Sequence, residues 1–403
     1  MKKAVNSKKL LILLLIIIMG MGGHQIVEAT NDDKQQIETY PKPYVYDHDE
    51  VDSLLELWQE NIRRYNLKSY DLSSLKLNES FYMDNFVFNS QTKWPEKLPK
   101  SFDLNKLIKY GRNPGLNIRK LHKKGITGKG VNVGIVDGRL LVDHTEFKDN
   151  IRVYEETFNM HGTTHFHGTP ITSILAGDSN GVAPDVGIYY MAYLDNYIDR
   201  ESGYIELADA IEKLIEINKT LPKDEKMKVI SISSGWFPES KNAKEIYKAI
   251  EKAKKENIFV ISARLFETHN LNFTGLRRDP WDDPDKVSSY NYIHFSKQFD
   301  KSDKEILLVP MDGRWMASAT GQKNYVYYSK GAWSTAIPYI SGLYALAIQV
   351  NPDITPDEFW DTALSTGNSV KNENSYSSNY KGRTAKIVNP VKLIETISSK
   401  AGN

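Results

Sequence analysis

The sequence predicts an α/β fold with a mostly parallel central sheet flanked by helices, and two observations carry that prediction. Short apolar runs with β-branched residues at 131–136, 188–193, 229–233 and 258–263 read as strands buried on both faces. Between the later runs, Leu207, Ile211, Leu214 and Ile215, and then Ile246, Tyr247, Ala249, Ile250 and Ala253, recur at helical spacing and mark amphipathic helices. Strands alternating with helices imply right-handed crossovers and parallel pairing, with helices covering both faces of the sheet. A further strand is expected at 306–309. Thr355-Pro356-Asp357-Glu358 reads as a capping box with proline at the first helical position.

At 403 residues the chain is long enough for one large domain with a smaller one attached. Apolar residues at 40% and charged residues at 26% are ordinary for a globular protein. A formal charge of +1 gives no clustered basic excess, so nucleic acid is not an expected partner. With no cysteine in the chain, disulfides, thiol nucleophiles and thiolate zinc sites are excluded.

The N-terminus carries Lys2, Lys3, Lys8 and Lys9 ahead of an apolar run at 10–19 that fades through the glycines of 20–23. That run is shorter than the ~20 residues a spanning helix needs. Val27-Glu28-Ala29 supplies small residues where a signal peptidase reads. Residues 1–29 are therefore expected to be a signal peptide, leaving Thr30 first in a secreted, extracellular product without stable membrane insertion. Residues 30–100 differ from the rest of the chain. They are polar, with Leu54, Leu55, Trp58 and Ile62 at helical spacing, and end in Trp94-Pro95 and Leu98-Pro99. A removable propeptide and a permanent extension both fit this segment. Residues 101–403 form the main domain.

Three stretches carry chemistry. In a parallel α/β sheet, catalytic groups gather at the carboxyl ends of strands. Asp137 stands there, after Val-Gly-Ile-Val, with Gly128-Lys129-Gly130-Val131 before the strand and His144 beyond it. His167-Gly168-Thr169 opens an apolar helix through Ile171, Ile174, Leu175 and Ala176, and Gly181-Val182-Ala183-Pro184 comes next. Gly331-Ala332-Trp333-Ser334-Thr335-Ala336-Ile337-Pro338 leads to Gly342 and a long apolar run. A serine there opens a buried helix whose positive end favours a developing oxyanion.

Taken in the order Asp, His, Ser, these stretches resemble the subtilisin-like serine proteases, the subtilase family, over about residues 118–365. The resemblance implies a three-layer subtilisin-like peptidase domain over 101–403, a hydrolase acting on protein or peptide substrate. It also implies roles: Ser334 as nucleophile, His167 as general base and then acid, and Asp137 as the buried orienter of the imidazole. Ile230-Ser231-Ile232-Ser233-Ser234-Gly235 resembles the family strand that pairs with extended substrate, so Ser233, Ser234 and Gly235 are expected to line its pocket. A buried strand and turn of no special role is the competing reading of that segment. No cofactor is required for this chemistry, a structural calcium is compatible with it, and a monomer is expected.

The sequence departs from the family pattern in three places. Trp333 precedes Ser334 where a small polar residue is usual, and Arg139 stands after Asp137 where glycine is usual. The strand 258–263 runs into Arg264-Leu265 in place of the Gly-Asn whose amide donates to the oxyanion. Asn270 and Asn272 are the candidate substitutes for that donor, with Arg264 a weaker one.

Two rivals stand against the triad. His161, His165 and His167 suggest a metal, but no His-Glu-x-x-His motif occurs and the spacing fits no single regular element. His161 and His165 are accordingly read as exposed loop histidines. The missing asparagine also fits a catalytically impaired subtilisin-like protein with a binding or regulatory role. The segment 264–305, with Trp281-Asp282-Asp283-Pro284-Asp285, exceeds ordinary loop length and is read as a solvated insertion, with a groove extension or a carboxylate cation site as alternatives.

Overall fold

A computed structural model describes residues 35–45, 65–77, 83, 85–157, 162–193, 200–292, 305–371 and 384–402. The expected signal peptide, the helical spacing at 54–62 and His161 lie outside the described residues.

Strands β1 (Gln36–Ile37), β4 (Asn132–Asp137), β5 (Ile151–Glu156), β6 (Gly187–Ala192), β7 (Val229–Ile232) and β8 (Phe259–Ser262) form a six-stranded sheet. Its order is β1-β5-β6-β4-β7-β8 and every pairing is parallel. The four central runs expected from the sequence all lie in it. The pleat sends alternate residues to opposite faces. Val136, Ile230, Ile232 and Val260 pack with Leu207, Ile211 and Leu214 of α4 (Arg200–Thr220) and with Ile246 and Ile250 of α5 (Ala243–Lys255). Val133, Ile135, Val229, Phe259 and Ile261 belong instead to the core that holds Ile337, Ile340 and Tyr344 of α7 (Trp333–Val350). Helix, sheet and helix make the three layers, and burying each such side chain is worth roughly 1.5–3 kcal/mol.

The remaining helices are α1 (Leu104–Gly111), α2 (Ile118–His122), α3 (Gly168–Ala176), α6 (Leu265–His269), α8 (Pro356–Thr366) and α9 (Pro390–Ala401). Helix α8 begins with the expected capping box: Thr355 accepts from the Glu358 N–H, and the Glu358 carboxylate accepts from the Thr355 N–H.

A second sheet holds β10 (Tyr290–Tyr292), β9 (Asn272–Arg278), β11 (Ile306–Pro310), β15 (Thr384–Ile387) and β14 (Asn368–Lys371), in that order. It corrects the reading of 264–305 as a solvated insertion. The described part of that segment carries α6, β9 and β10, and β9 pairs in parallel with β11 from Asn272 to Leu276. Phe273 and Leu276 are buried in the main core, and even Asn272 and Thr274 are buried, so the segment's mixed polarity hid a fully covered strand. Its acidic turn is structural as well: Asp285 accepts from the Asn117 N–H at 2.7 Å and from Asn113 at 2.8 Å.

The third sheet, β12 (Arg314–Ala317), β13 (Tyr325–Tyr328), β3 (Phe86–Asn89) and β2 (Tyr65–Asn66), joins the N-terminal extension to the main domain. Strand β3 pairs antiparallel with β13, and all four of its residues are buried. The described residues, from 35 on, form one compact unit. No described helix is long and apolar enough to cross a membrane.

Candidate active site

Strand β4 ends on Asp137, at the carboxyl edge of the sheet, with its side chain 5% exposed. His167 occupies the N-cap position of α3, and its Nδ1 lies 2.8 Å from Asp137 Oδ1 and 3.0 Å from Oδ2. Asp137 Oδ1 also accepts the Gly138 N–H at 2.7 Å, which fixes the carboxylate toward the imidazole. The glycine after the histidine is required by close approach: a Cβ on Gly168 would stand 2.3 Å from the Tyr190 hydroxyl and 2.5 Å from the Gly138 carbonyl. Tyr190 donates to that same carbonyl at 2.5 Å, so the turn after β4 is held from below by β6.

Ser334 is the second residue of α7, partly exposed at the helix's N-terminal end. Pro338 lies inside α7 and has no N–H, so the Ser334 carbonyl receives no i+4 helical bond from it. Asp137, Gly138, His165, His167, Ser233, Ser234, Gly235 and Ser334 line one cleft of about 330 Å³, joined by Tyr193, Tyr204 and Phe237. The structure thus brings Asp137, His167, Ser334 and the three expected pocket residues together. Ser234 and Gly235 sit at the rim while Ser233 is buried, and Ala263 donates its N–H to the Ser234 carbonyl at 3.1 Å.

Asn270 and Asn272 are not among the residues lining this cleft. Asn270 caps α6 in the left-handed conformation, φ 57°, with an exposed side chain, and Asn272 is buried inside β9. Leu265 is buried at the start of α6. Arg264 pairs with Glu267 at 3.0 Å, and its Nε lies 3.7 Å from where a Cβ on Gly235 would stand, close behind the cleft wall.

His165 departs from its reading as an exposed loop histidine. It is half-buried, its ring lies 2.7 Å from the place of a Gly138 Cβ, and its ring centroid is 6.4 Å from that of His167. Both histidines line the same cleft, His165 just ahead of the turn that leads into α3. The chain before that turn is held from outside by the N-terminal extension, since Thr164 donates its N–H to the Lys42 carbonyl at 2.7 Å. Tyr193, Tyr204 and Phe237 were not singled out in the sequence; Tyr193 carried a positional signal, standing directly after β6, and its N–H donates to the Asp137 carbonyl.

The two unusual residues have structural accounts. Arg139 Nε pairs with Glu156 Oε2 at 3.0 Å, both side chains being largely buried, and Glu156 also accepts from Tyr154 and Thr39. That network ties the turn after Asp137 to β5 and the extension. The Trp333 indole packs with Phe273 of β9, ring centroids 6.1 Å apart. Among the described residues no cluster of three His, Asp or Glu is placed to hold a metal ion. His144 is buried, its Nε2 2.9 Å from the Asn324 carbonyl and its Nδ1 accepting from the Glu146 N–H.

A six-stranded parallel sheet between helices is the architecture of the subtilisin-like fold. The model of the peptidase S8, or subtilase, family matches residues 128–264. Among solved structures, the prenylagaramide maturation protease PagA is similar at 19% identity and a TM-score of 0.51, covering 70% of this chain and 99% of its own. A protease from Pseudoalteromonas arctica is similar at 17% identity and 0.50, covering 73% and 97%. The subtilase cytotoxin SubAB assembly contains a chain similar at 14% identity and 0.53, covering 72% and 96%. At these identities the likeness to solved structures is one of fold.

Proposed function

We propose that this chain is a secreted serine endopeptidase that hydrolyses peptide bonds through Asp137, His167 and Ser334 and an acyl-enzyme intermediate. The observation that carries this reading is the meeting of the Asp137–His167 pair with Ser334 in one cleft. Serine's hydroxyl is a poor nucleophile until a base takes its proton, and His167 supplies that base. Asp137 accepts the Nδ1–H, leaving Nε2 unprotonated for Ser334 Oγ, and stabilises the imidazolium that forms. Ser334 Oγ attacks the scissile carbonyl, and the oxyanion develops at the positive end of α7, near the Ser334 N–H. His167 then protonates the leaving amine. A water activated by the same imidazole releases the acyl group and restores the serine. No cofactor enters these steps. Ser233, Ser234 and Gly235 hold the extended substrate backbone along the cleft.

A fluorophosphonate reagent tests this reading. Labelling is expected at Ser334, located by peptide mapping, and absent from Ser334→Ala and His167→Ala. Hydrolysis of a peptide library is expected to survive a zinc-selective chelator. A folded chain with no labelling and no hydrolysis would favour the impaired subtilisin-like protein with a binding or regulatory role. Labelling that persists in Ser334→Ala would overturn the assignment of the nucleophile.

A further inference from the structure

We propose that Asp312 is a positioning residue for Ser334, holding the loop that carries the nucleophile through its bond to the Gly331 N–H; this rests on Ser334 being the nucleophile. Strand β11 ends at Pro310, and the chain turns through Met311, Asp312 and Gly313, the last at φ +67°, into β12. Two groups of this turn grip the chain on either side of Ser334. Asp312 Oδ1 accepts the Gly331 N–H at 2.8 Å, three residues before the serine. Thr335 Oγ1, immediately after it, lies 3.0 Å from the Met311 carbonyl and 2.7 Å from the Ala332 carbonyl, and its one proton is shared between them. The contact leaves no room for a side chain: a Cβ on Gly331 would lie 2.2 Å from the Met311 oxygen and 2.6 Å from Thr335 Oγ1. The same turn holds the start of the loop, since Gly313 donates its N–H to the Ser329 carbonyl at 3.1 Å.

The chemistry of Asp312 distinguishes it from an ordinary turn residue. The residue is 1% exposed, and Oδ2 makes no hydrogen bond among the described residues, with Lys330 Nζ 3.9 Å away. Burial raises its pKa, opposed by the Gly331 N–H, by Lys330 and Arg277, and by the Arg278 backbone. Burying a carboxylate with one oxygen unsatisfied costs folding free energy, and a polar group kept at such cost commonly fixes a geometry. Here the fixed element is the approach to α7. A nucleophile displaced by an ångström can lose a large factor in rate, so a short, doubly anchored loop matters to chemistry more than to folding.

The test compares Asp312→Ala, Asp312→Asn and Thr335→Val with wild type. Two readouts serve: the rate of fluorophosphonate labelling per folded molecule, and kcat and KM on one peptide. Asp312→Ala is expected to lower labelling and kcat by about 10- to 100-fold with KM little changed. Asp312→Asn, which keeps an acceptor for the Gly331 N–H, is expected to recover most of the loss. Thr335→Val removes the second anchor and is expected to lower kcat by a smaller factor, which serves if Asp312→Ala does not fold. A folded Asp312→Ala with wild-type labelling and kcat, or a full loss of rate in Asp312→Asn, would overturn the proposal. Hydrogen exchange of the 329–335 segment, measured in a Ser334→Ala background, separates this proposal from the nucleophile assignment. Faster exchange in Asp312→Ala is expected whether or not Ser334 is the nucleophile, and unchanged exchange would also overturn the proposal.

Discussion

His167 Nδ1 lies 2.8 Å from Asp137 Oδ1, and the contact joins the end of a central strand to the head of a buried helix. The carboxylate is held by the Gly138 N–H and the turn beneath it by the Tyr190 hydroxyl, so the imidazole faces a partner with little freedom to move. Asp137→Asn should keep the fold and the cleft, because amide and carboxylate have the same shape. The amide NH2 would instead favour the Nδ1-unprotonated tautomer, leaving Nε2 protonated and unable to take the Ser334 proton. A fall of about 10⁴ in kcat is expected, with KM nearly retained. Steady-state kinetics beside a thermal melt check it, and a fall below tenfold at unchanged stability would count against Asp137 as the orienter.

The N-terminal extension should remain in the active protein. Phe86 and Phe88 of β3 pack on Tyr327 at 5.7 and 5.2 Å between ring centroids, and Phe88 meets Trp315 at 5.7 Å. Leu67, Tyr70, Leu72, Met83, Phe102 and Leu107 complete that buried cluster. Each such side chain is worth roughly 1.5–3 kcal/mol, and a whole domain is stable by only about 5–15 kcal/mol. Deletion of residues 30–100 is therefore expected to give insoluble or unfolded chain. Intact-mass analysis of the active protein should find residues 65–100 present. An active species that starts beyond residue 100 and retains no fragment would refute this.

The central sheet and the site were legible for different reasons. Strands β4, β6, β7 and β8 are covered on both faces, which forces the short β-branched runs that the sequence displays. Asp137, His167 and Ser334 each stood at a junction between an apolar run and a turn, where such groups must be. Strand β9 was not legible because Asn272, Thr274 and Arg277 interrupt its apolar residues, and its partner β11 begins 34 positions after Asn272 in sequence. His165 was set aside because the sequence does not show which side of a loop faces the cleft. Asp312 gave no local signal: its meaning comes from Gly331, 19 residues away.

Stability should decline on acidification through three histidines outside the cleft, His144 buried and His122 and His269 half-buried. Burial lowers the pKa of His122, His144 and His269, the last to about 4, where Lys254 adds to the effect. In the unfolded chain these imidazoles titrate near about 6.5. As pH falls below that value the unfolded state takes up protons that the folded state refuses, so stability present above about 6.5 is lost toward pH 4. The slope is at most about 1.4 kcal/mol per pH unit for each refused proton. Urea midpoints measured from pH 7.5 to 4.5 should fall, and His269→Gln should fall less steeply over that range. Identical slopes in the two proteins would show that His269 is not the group responsible.

The oxyanion site is where this chain departs furthest from the subtilase pattern. One donor, the Ser334 N–H, belongs to the first turn of α7, whose N–H groups have no partner within the helix. The side-chain donor expected after β8 is replaced by Leu265, which is buried and cannot donate. Asn270 and Asn272 carry the right amide, but neither lines the cleft. Asn270 has a backbone reason to be asparagine, since it takes the left-handed conformation at the end of α6. Asn270→Gly keeps that conformation and removes the amide, so it separates the two roles. It is expected to leave both kcat and stability near wild type, whereas Asn270→Ala should cost about 1 kcal/mol of stability at unchanged kcat. Asn272→Ala is expected to destabilise β9, again without changing kcat per folded molecule. With a single donor the wild type should be slow, by about 100- to 1000-fold relative to a peptidase with both. A loss of more than about tenfold in kcat for Asn270→Gly or Asn272→Ala, at unchanged folded fraction, would instead identify that amide as the replacement donor.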